Sequence, residues 1–175
     1  VPRSKRTRLA GSSDYKSSIK VTEGPLSYTV QVKSEFYGGA LSCRQMRFYK
    51  DSQRIDFETE LNDIPDLTVV VAEFPLVEMP LEIRRGIPYG FFHAPWAKPN
   101  ENLHGLSDGI QPAVRWSDYA LPEGGGLAIL DRGLSGREIN DKTPVIYLYN
   151  AVDKYRGYSN SWLSGKGMHR LEYAL

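Results

Sequence analysis

The side chains best suited by type to acid–base work or metal binding are the histidines His93, His104 and His169, and they lie far apart in the chain. A metal site built on them needs carboxylates or thiolates at suitable spacing, and no such pattern surrounds any of the three. Glu101, Asp108, Asp118 and Asp131 could supply the carboxylate pair of glycoside chemistry, yet nothing local sets two of them across a sugar. Gly105-Leu106-Ser107-Asp108-Gly109 matches the G-x-S-x-G string of serine hydrolases. That elbow needs a buried strand before the serine and a helix after it, whereas polar residues precede it and Pro112 follows, so it reads as a turn. Pro122-Glu123-Gly124-Gly125-Gly126 lacks the Lys and Ser/Thr of a phosphate loop and reads as a tight entry into the apolar run 127–130.

The aromatic residues are more suggestive. Tyr89, Phe91, Phe92, Trp96, Trp116, Tyr119, Tyr155, Tyr158 and Trp162 fall in stretches without strand alternation. Exposed aromatic faces suit the apolar faces of sugar rings, but amphipathic rings serve protein interfaces and core lids equally well. Both readings stay open, with Trp116 a candidate carbohydrate contact.

Such side chains must be positioned by strands. Leu26, Tyr28, Val30 and Val32 alternate with Ser27, Thr29, Gln31 and Lys33, the period of a half-buried strand. Residues 54–61 repeat the design, with Ile55, Phe57 and Leu61 on one side and Arg54, Asp56, Glu58 and Glu60 on the other. Further strands are predicted at 44–49, 68–74, 113–116, 127–130, 145–149 and 169–175, most of them bounded by Gly, Pro, Asn or Asp. No helical period with caps is found, and the prolines break most places where a helix would grow. The expected fold is all-β, a large antiparallel sandwich without internal repeats. The stretch from Pro75 to Pro112, with six prolines, reads as one long functional or interface loop.

Composition narrows the function classes. In 175 residues, 22 Lys+Arg against 21 Asp+Glu give a net charge of +1, which excludes the strong basic excess of a protein that coats nucleic acid or an anionic membrane. Cys43 is the only cysteine, so neither an internal disulfide nor a cysteine zinc site is possible. No apolar run approaches a membrane span or a signal peptide. The single cysteine and the lack of an Asn-x-Ser/Thr sequon lean towards the cytoplasm. Residues 1–18 are basic and serine-rich and read as a tail or cut end, leaving 19–175 as the sandwich. A start at Val1 and an end in a strand-like run lead us to expect a fragment of a longer protein.

In order and spacing, Arg54-Ile55-Asp56-Phe57-Glu58-Thr59-Glu60-Leu61, Ile87-Pro88-Tyr89-Gly90, Trp116-Ser117-Asp118, Gly126-Leu127-Ala128-Ile129-Leu130-Asp131-Arg132-Gly133 and His169-Arg170-Leu171-Glu172-Tyr173-Ala174-Leu175 carry a resemblance. Together they resemble the C-terminal β-sandwich region of glycoside hydrolase family 38 α-mannosidases. The resemblance implies a galactose-mutarotase-like supersandwich, the non-catalytic half of a retaining enzyme that removes terminal α-mannose. It places the zinc ion, its His and Asp ligands and the nucleophile in a separate N-terminal catalytic domain of the same protein, so no catalytic, metal or cofactor residue is carried over to this chain. It makes Asp131 and Arg132, in the loop after the 127–130 strand, candidate sugar contacts. An adjacent carboxylate and guanidinium can accept from and donate to vicinal hydroxyls. The oligosaccharide and the catalytic domain are then the expected partners, with oligomers allowed and nucleic acid and membrane excluded. Two alternatives remain: a free-standing carbohydrate-binding module using Trp96, Trp116 and Trp162, and a sugar epimerase using His93 or His104 with Glu101.

Overall fold

The computed structural model describes residues 7–94, 111–155, 158–159 and 163–175. Among them are fifteen strands: β1 (Ser17–Glu23), β2 (Ser27–Glu35), β3 (Leu41–Tyr49), β4 (Ile55–Asn62), β5 (Thr68–Glu73), β6 (Glu82–Ile87), β7 (Gly90–His93), β8 (Gln111–Pro112), β9 (Trp116–Ala120), β10 (Gly126–Asp131), β11 (Gly136–Asn140), β12 (Thr143–Ala151), β13 (Lys154–Tyr155), β14 (Tyr158–Ser159) and β15 (Met168–Ala174). The described residues contain no α-helix, only single 3-10 turns at Ser12–Asp14 and Tyr37–Gly39. The expected all-β antiparallel fold is therefore borne out. The chain divides into two compact units, one formed by residues 8–70 with 149–175 and the other by residues 71–148.

In the first unit, β1, β2, β3, β4 and β15 form consecutive antiparallel pairs. The charge alternation of β4 is obeyed: Phe57, Thr59 and Leu61 are buried, and Arg170 pairs with Glu58 on the opposite, wet face at 2.5 Å. Residues opposite each other in a ladder share a face. Val21, Val30, Met46, Phe57 and Tyr173 thus make one apolar row across the five strands, closed at its β15 end where the Phe57 and Tyr173 rings stack at 4.9 Å. Leu61, Ile64 and Ala151 form the core of this unit, with Val70, Tyr149 and Leu171 packed on it. The Ile64 N–H donates to the Gly165 carbonyl at 2.7 Å.

Two readings need correction here. β1 begins at Ser17, inside the expected tail, and had no place among the expected strands. Every residue of it is exposed, so no buried face marked it in the sequence. The alternation at 26–33 does give a strand, β2, but its Leu26 and Tyr28 stay exposed instead of turning into a core.

The second unit is two layers. One is the antiparallel ladder of β10, β9, β6 and β7. The other pairs β12 with β11 and β11 with β8. Ile83, Tyr119, Ile129, Ile139, Val145 and Ile146 are buried in this unit. The long loop expected between Pro75 and Pro112 instead carries the β6–β7 hairpin, turned by Pro88-Tyr89 with Tyr89 at φ 68°. β11 was likewise missed, and β9 runs from Trp116 rather than ending there. The inward positions of β6 and β11 include Arg85 and Arg137, which a polar–apolar pattern assigns to water. The glycine run before β10 does make a tight entry. Gly126 sits at φ 139°, and a Cβ on it would lie 2.1 Å from the Tyr119 carbonyl oxygen.

Gly165 tests the packing of the first unit, because a Cβ there would stand 2.0 Å from the Ile64 carbonyl oxygen, a backbone atom that cannot swing aside. Gly165→Ala is expected to destabilise the fold by about 2 kcal/mol or more, the scale of core overpacking, read as a lowered urea midpoint. An unchanged midpoint would contradict this packing.

Candidate carbohydrate site

Asp131, Arg132 and Trp116 are brought together, and they come together through backbone pairing. Leu130 of β10 is registered against Trp116 of β9, and the Asp131 N–H donates to the Arg115 carbonyl at 2.8 Å. Arg115 has φ 68°, and the Trp116 N–H reaches back to the Val114 carbonyl at 2.9 Å, closing a γ-turn of the rare, strained kind. That turn sets Trp116 at the start of β9, beside the β10–β11 connection.

The three residues do different work. The Asp131 side chain is only 1% exposed. Its Oδ1 accepts the Leu134 N–H at 2.7 Å, which shapes the turn, and its Oδ2 accepts from the Arg137 guanidinium. Arg137 is fully buried and spends its other donors on the Ser117 hydroxyl at 3.1 Å, the Gly136 carbonyl at 3.1 Å and the Leu134 carbonyl. Asp131 is therefore occupied inward, as the counter-charge of Arg137. Arg132, next along the turn, is exposed, and Trp116 is half-buried.

More charge lies inside the same unit. Arg85 is buried, and the loss of water pushes its guanidinium below the usual arginine range; Tyr119 and Glu138 oppose that effect and Arg137 adds to it. Glu138 is also buried and accepts a hydrogen bond from the Tyr147 hydroxyl at 2.5 Å. Sequence reasoning passed over Arg85, Arg137 and Glu138. Nothing in the sequence marked them as buried, since Arg85 lies between Arg84 and Gly86 and Arg137 between Gly136 and Glu138.

The outer face of the β10-β9-β6-β7 ladder is ordered in rows. Leu130 and Trp116 are registered in the first row, and Gly86 and Phe91 continue it. Ala128, Asp118, Arg84 and His93 form the second, and Gly126, Ala120 and Glu82 the third. A Cβ on Gly86 would fall 2.7 Å from the Trp116 Nε1, so the indole lies across the glycine. Phe91 is 50% exposed, and its ring centre is 6.0 Å from that of Trp116 at an interplanar angle of 50°. In the charged rows Arg84 donates to Asp118 at 2.5 and 3.0 Å, and the His93 Nδ1 lies 2.6 Å from Glu82 Oε1.

The remaining candidates are dispersed. His169 packs against Tyr149 in the first unit, with ring centres 4.0 Å apart and the rings tilted by 35°. Burial pushes the Cys43 thiol up, the opposite of an activated nucleophile. Trp96, Glu101, His104, the Gly105–Gly109 string with Asp108, and Trp162 lie outside the described residues, as do the side chains of Tyr155 and Tyr158. Among the described residues no group of three or more His, Cys, Asp or Glu side chains could hold a metal ion, and no helix is long and apolar enough to cross a membrane.

No protein-family model matches the chain, and no curated protein matches it in sequence. Solved structures do match. A protein in glycosyl hydrolase family 38 from Enterococcus faecalis superposes with a TM-score of 0.74 at 14% identity, over 92% of this chain and 22% of its own. An alpha-mannosidase from Enterococcus faecalis V583 gives 0.74 at 16% identity, with the same coverage. The chain has their fold. It spans about a fifth of their length, 22% in each case, so the likeness is to one region of a much larger protein.

Removing Asp131 leaves Arg137 buried without its counter-charge, and breaking a buried pair from one side costs about 3–5 kcal/mol. Asp131→Ala is expected to lose stability on that scale in denaturant titration, whereas Arg132→Ala, at an exposed position, changes it by about 1 kcal/mol or less. Equal effects would contradict the inward role of Asp131.

Proposed function

We propose that this chain is the non-catalytic sandwich of a retaining, zinc-dependent α-mannosidase of the glycoside hydrolase family 38 kind, working beside a catalytic domain of the same protein on terminal α-mannose. The observation that carries this reading is the fold match at a TM-score of 0.74 over 92% of the chain, against proteins of which it covers 22%. Among the described residues no group of three or more His, Cys, Asp or Glu side chains could hold a metal ion. In this reading zinc belongs to the catalytic domain, where it supplies an electrophile for the substrate hydroxyls.

The work of this chain is to bind and to position. Arg132 and Trp116 stand at the surface, where a guanidinium can donate to sugar hydroxyls and an indole can cover a pyranose face. Asp131 acts through the turn that it holds. The apolar row of the first unit supports a neighbouring domain as partner. Its Phe57 and Tyr173 end is buried, while Val21 at the other end is 63% exposed, and Ile19, two residues before it on the same strand, is 64% exposed. We assign that end to the contact with the catalytic domain, and we place the whole protein in the cytoplasm.

The reading predicts that the 175-residue chain, purified and supplied with zinc, turns over no aryl α-mannoside, and that a chain extended upstream by its native coding sequence does. Turnover that follows the isolated, folded chain through purification would overturn it, as would an upstream sequence without a barrel carrying His and Asp zinc ligands.

A further inference from the structure

The outer face of the β10-β9-β6-β7 ladder extends well beyond the sugar contacts assigned above, which use only its Trp116. Its first row is an aromatic trough: the Trp116 indole laid over Gly86, with Phe91 tilted against it at 6.0 Å and Leu130 at the far side, 41% exposed. Its second and third rows hold Arg84, Asp118, Glu82 and His93, with Arg84 paired to Asp118 and Glu82 and the His93 Nδ1 2.6 Å from Glu82 Oε1. Rows on one face of a strand are two residues apart, about 7 Å, and strands are about 5 Å apart. A trough of apolar rings is thus flanked at sugar-ring distance by a grid of fixed donors and acceptors. A protein-binding patch of this size is depleted of charge at its centre. A pyranose is matched instead, since its C–H face covers the rings while its hydroxyls reach the charged row.

Two features hold the trough in place before any ligand arrives. Gly86 is required, because any side chain there would displace the indole. The strained γ-turn at Arg115, with φ 68°, fixes where Trp116 leaves the backbone. Strain of this kind costs free energy and points to a functional constraint where the surrounding structure maintains it.

We infer that Trp116, Phe91, Arg84 and Asp118 form a glycan-binding surface of this chain, taking the non-reacting residues of an α-linked mannose oligosaccharide. The mannose class rests on the proposed function; the sugar-binding surface does not. Arg132 follows the end of β10, two residues beyond the Leu130 that is registered with Trp116.

The test uses a variant of the full 175-residue chain in which Trp96→Phe and Trp162→Phe leave Trp116 as the only indole. Titration with α-1,2- and α-1,6-linked mannotriose is expected to shift its emission saturably. Phe91→Ala is expected to weaken the apparent affinity about tenfold, since an aromatic contact is worth roughly one order of magnitude. Asp118→Asn, which keeps the shape and removes the charge partner of Arg84, is expected to weaken it severalfold. Thermal midpoints of both variants are measured alongside, and an affinity loss with an unchanged midpoint supports the surface. No shift with either mannotriose or with cello- and galacto-oligosaccharides overturns the inference. So does a Trp116 signal that responds to an added catalytic domain and not to sugar, which makes this face a protein interface. Saturable binding of cello- or galacto-oligosaccharides alone keeps the surface and overturns the mannose class. Because binding is read on the isolated chain, it stands or falls independently of whether a catalytic domain lies upstream.

Discussion

The interior of the 71–148 unit depends on one buried ion pair. Arg137 has no solvent exposure, and a guanidinium placed there needs both a counter-charge and a partner for each N–H. Asp131 supplies the charge and accepts one N–H, and the Ser117 hydroxyl with the carbonyls of Leu134 and Gly136 accept three more of the five. Those partners come from β9, β10 and the turn before β11, so satisfying one side chain fixes three pieces of backbone relative to each other. A hydrophobic residue of similar volume would fill the space without specifying the turn. The directed bonds of the guanidinium confine residues 131–136 to one path, and that path leaves Arg132 at the surface beside Trp116.

Burying charge also governs how much of the fold could be read from the sequence. β4 was legible because its charges face water: Asp56, Glu58 and Glu60 alternate with Phe57, Thr59 and Leu61, and the structure keeps that division. β6 and β11 were illegible for the reverse reason. Arg85, Arg137 and Glu138 are buried, and no single-sequence pattern distinguishes an arginine facing a core from one facing solvent. β1 failed differently: Ile19 and Val21 alternate with Lys20 and Thr22, but the alternation is only four residues long and all seven residues are exposed, so no buried face sets it off. The site shows the same split. The resemblance proposed Asp131 and Arg132 and the aromatic residues proposed Trp116, and the β9–β10 pairing sets Asp131 beside Arg115, next to Trp116. The sequence could not separate a carboxylate turned inward from a guanidinium turned outward, because that depends on Arg137, six residues further on in a strand that was not expected.

The two faces of the β10-β9-β6-β7 ladder divide the chemistry. Ser117, Tyr119, Ile83 and Arg85 point inward, so the charges there must be matched in fixed geometry and cannot respond to a ligand. Trp116, Asp118, Arg84 and Phe91 alternate with them and point outward. Along one strand, each residue that anchors the core is followed by one offered to the surface. The strain at Arg115 belongs to this arrangement. A relaxed turn would alter the point at which β9 begins, and with it both the depth of Ser117 against Arg137 and the seat of the indole on Gly86.

That the fold is shared at 14% and 16% identity is understandable on the same terms. An antiparallel sandwich is held by ladders of backbone hydrogen bonds and by apolar volume, both of which tolerate exchange of side chains if patterning is kept. Satisfying a buried guanidinium is less permissive, since either partner removed alone leaves an uncompensated charge. In a sandwich that drifts this far in sequence, paired substitutions are therefore expected at positions 131 and 137, either both kept or both replaced by apolar residues. The outer rows hold no charge that burial forces into a pair, so outside Gly86, which the Trp116 indole covers, an exchange there leaves no uncompensated buried charge.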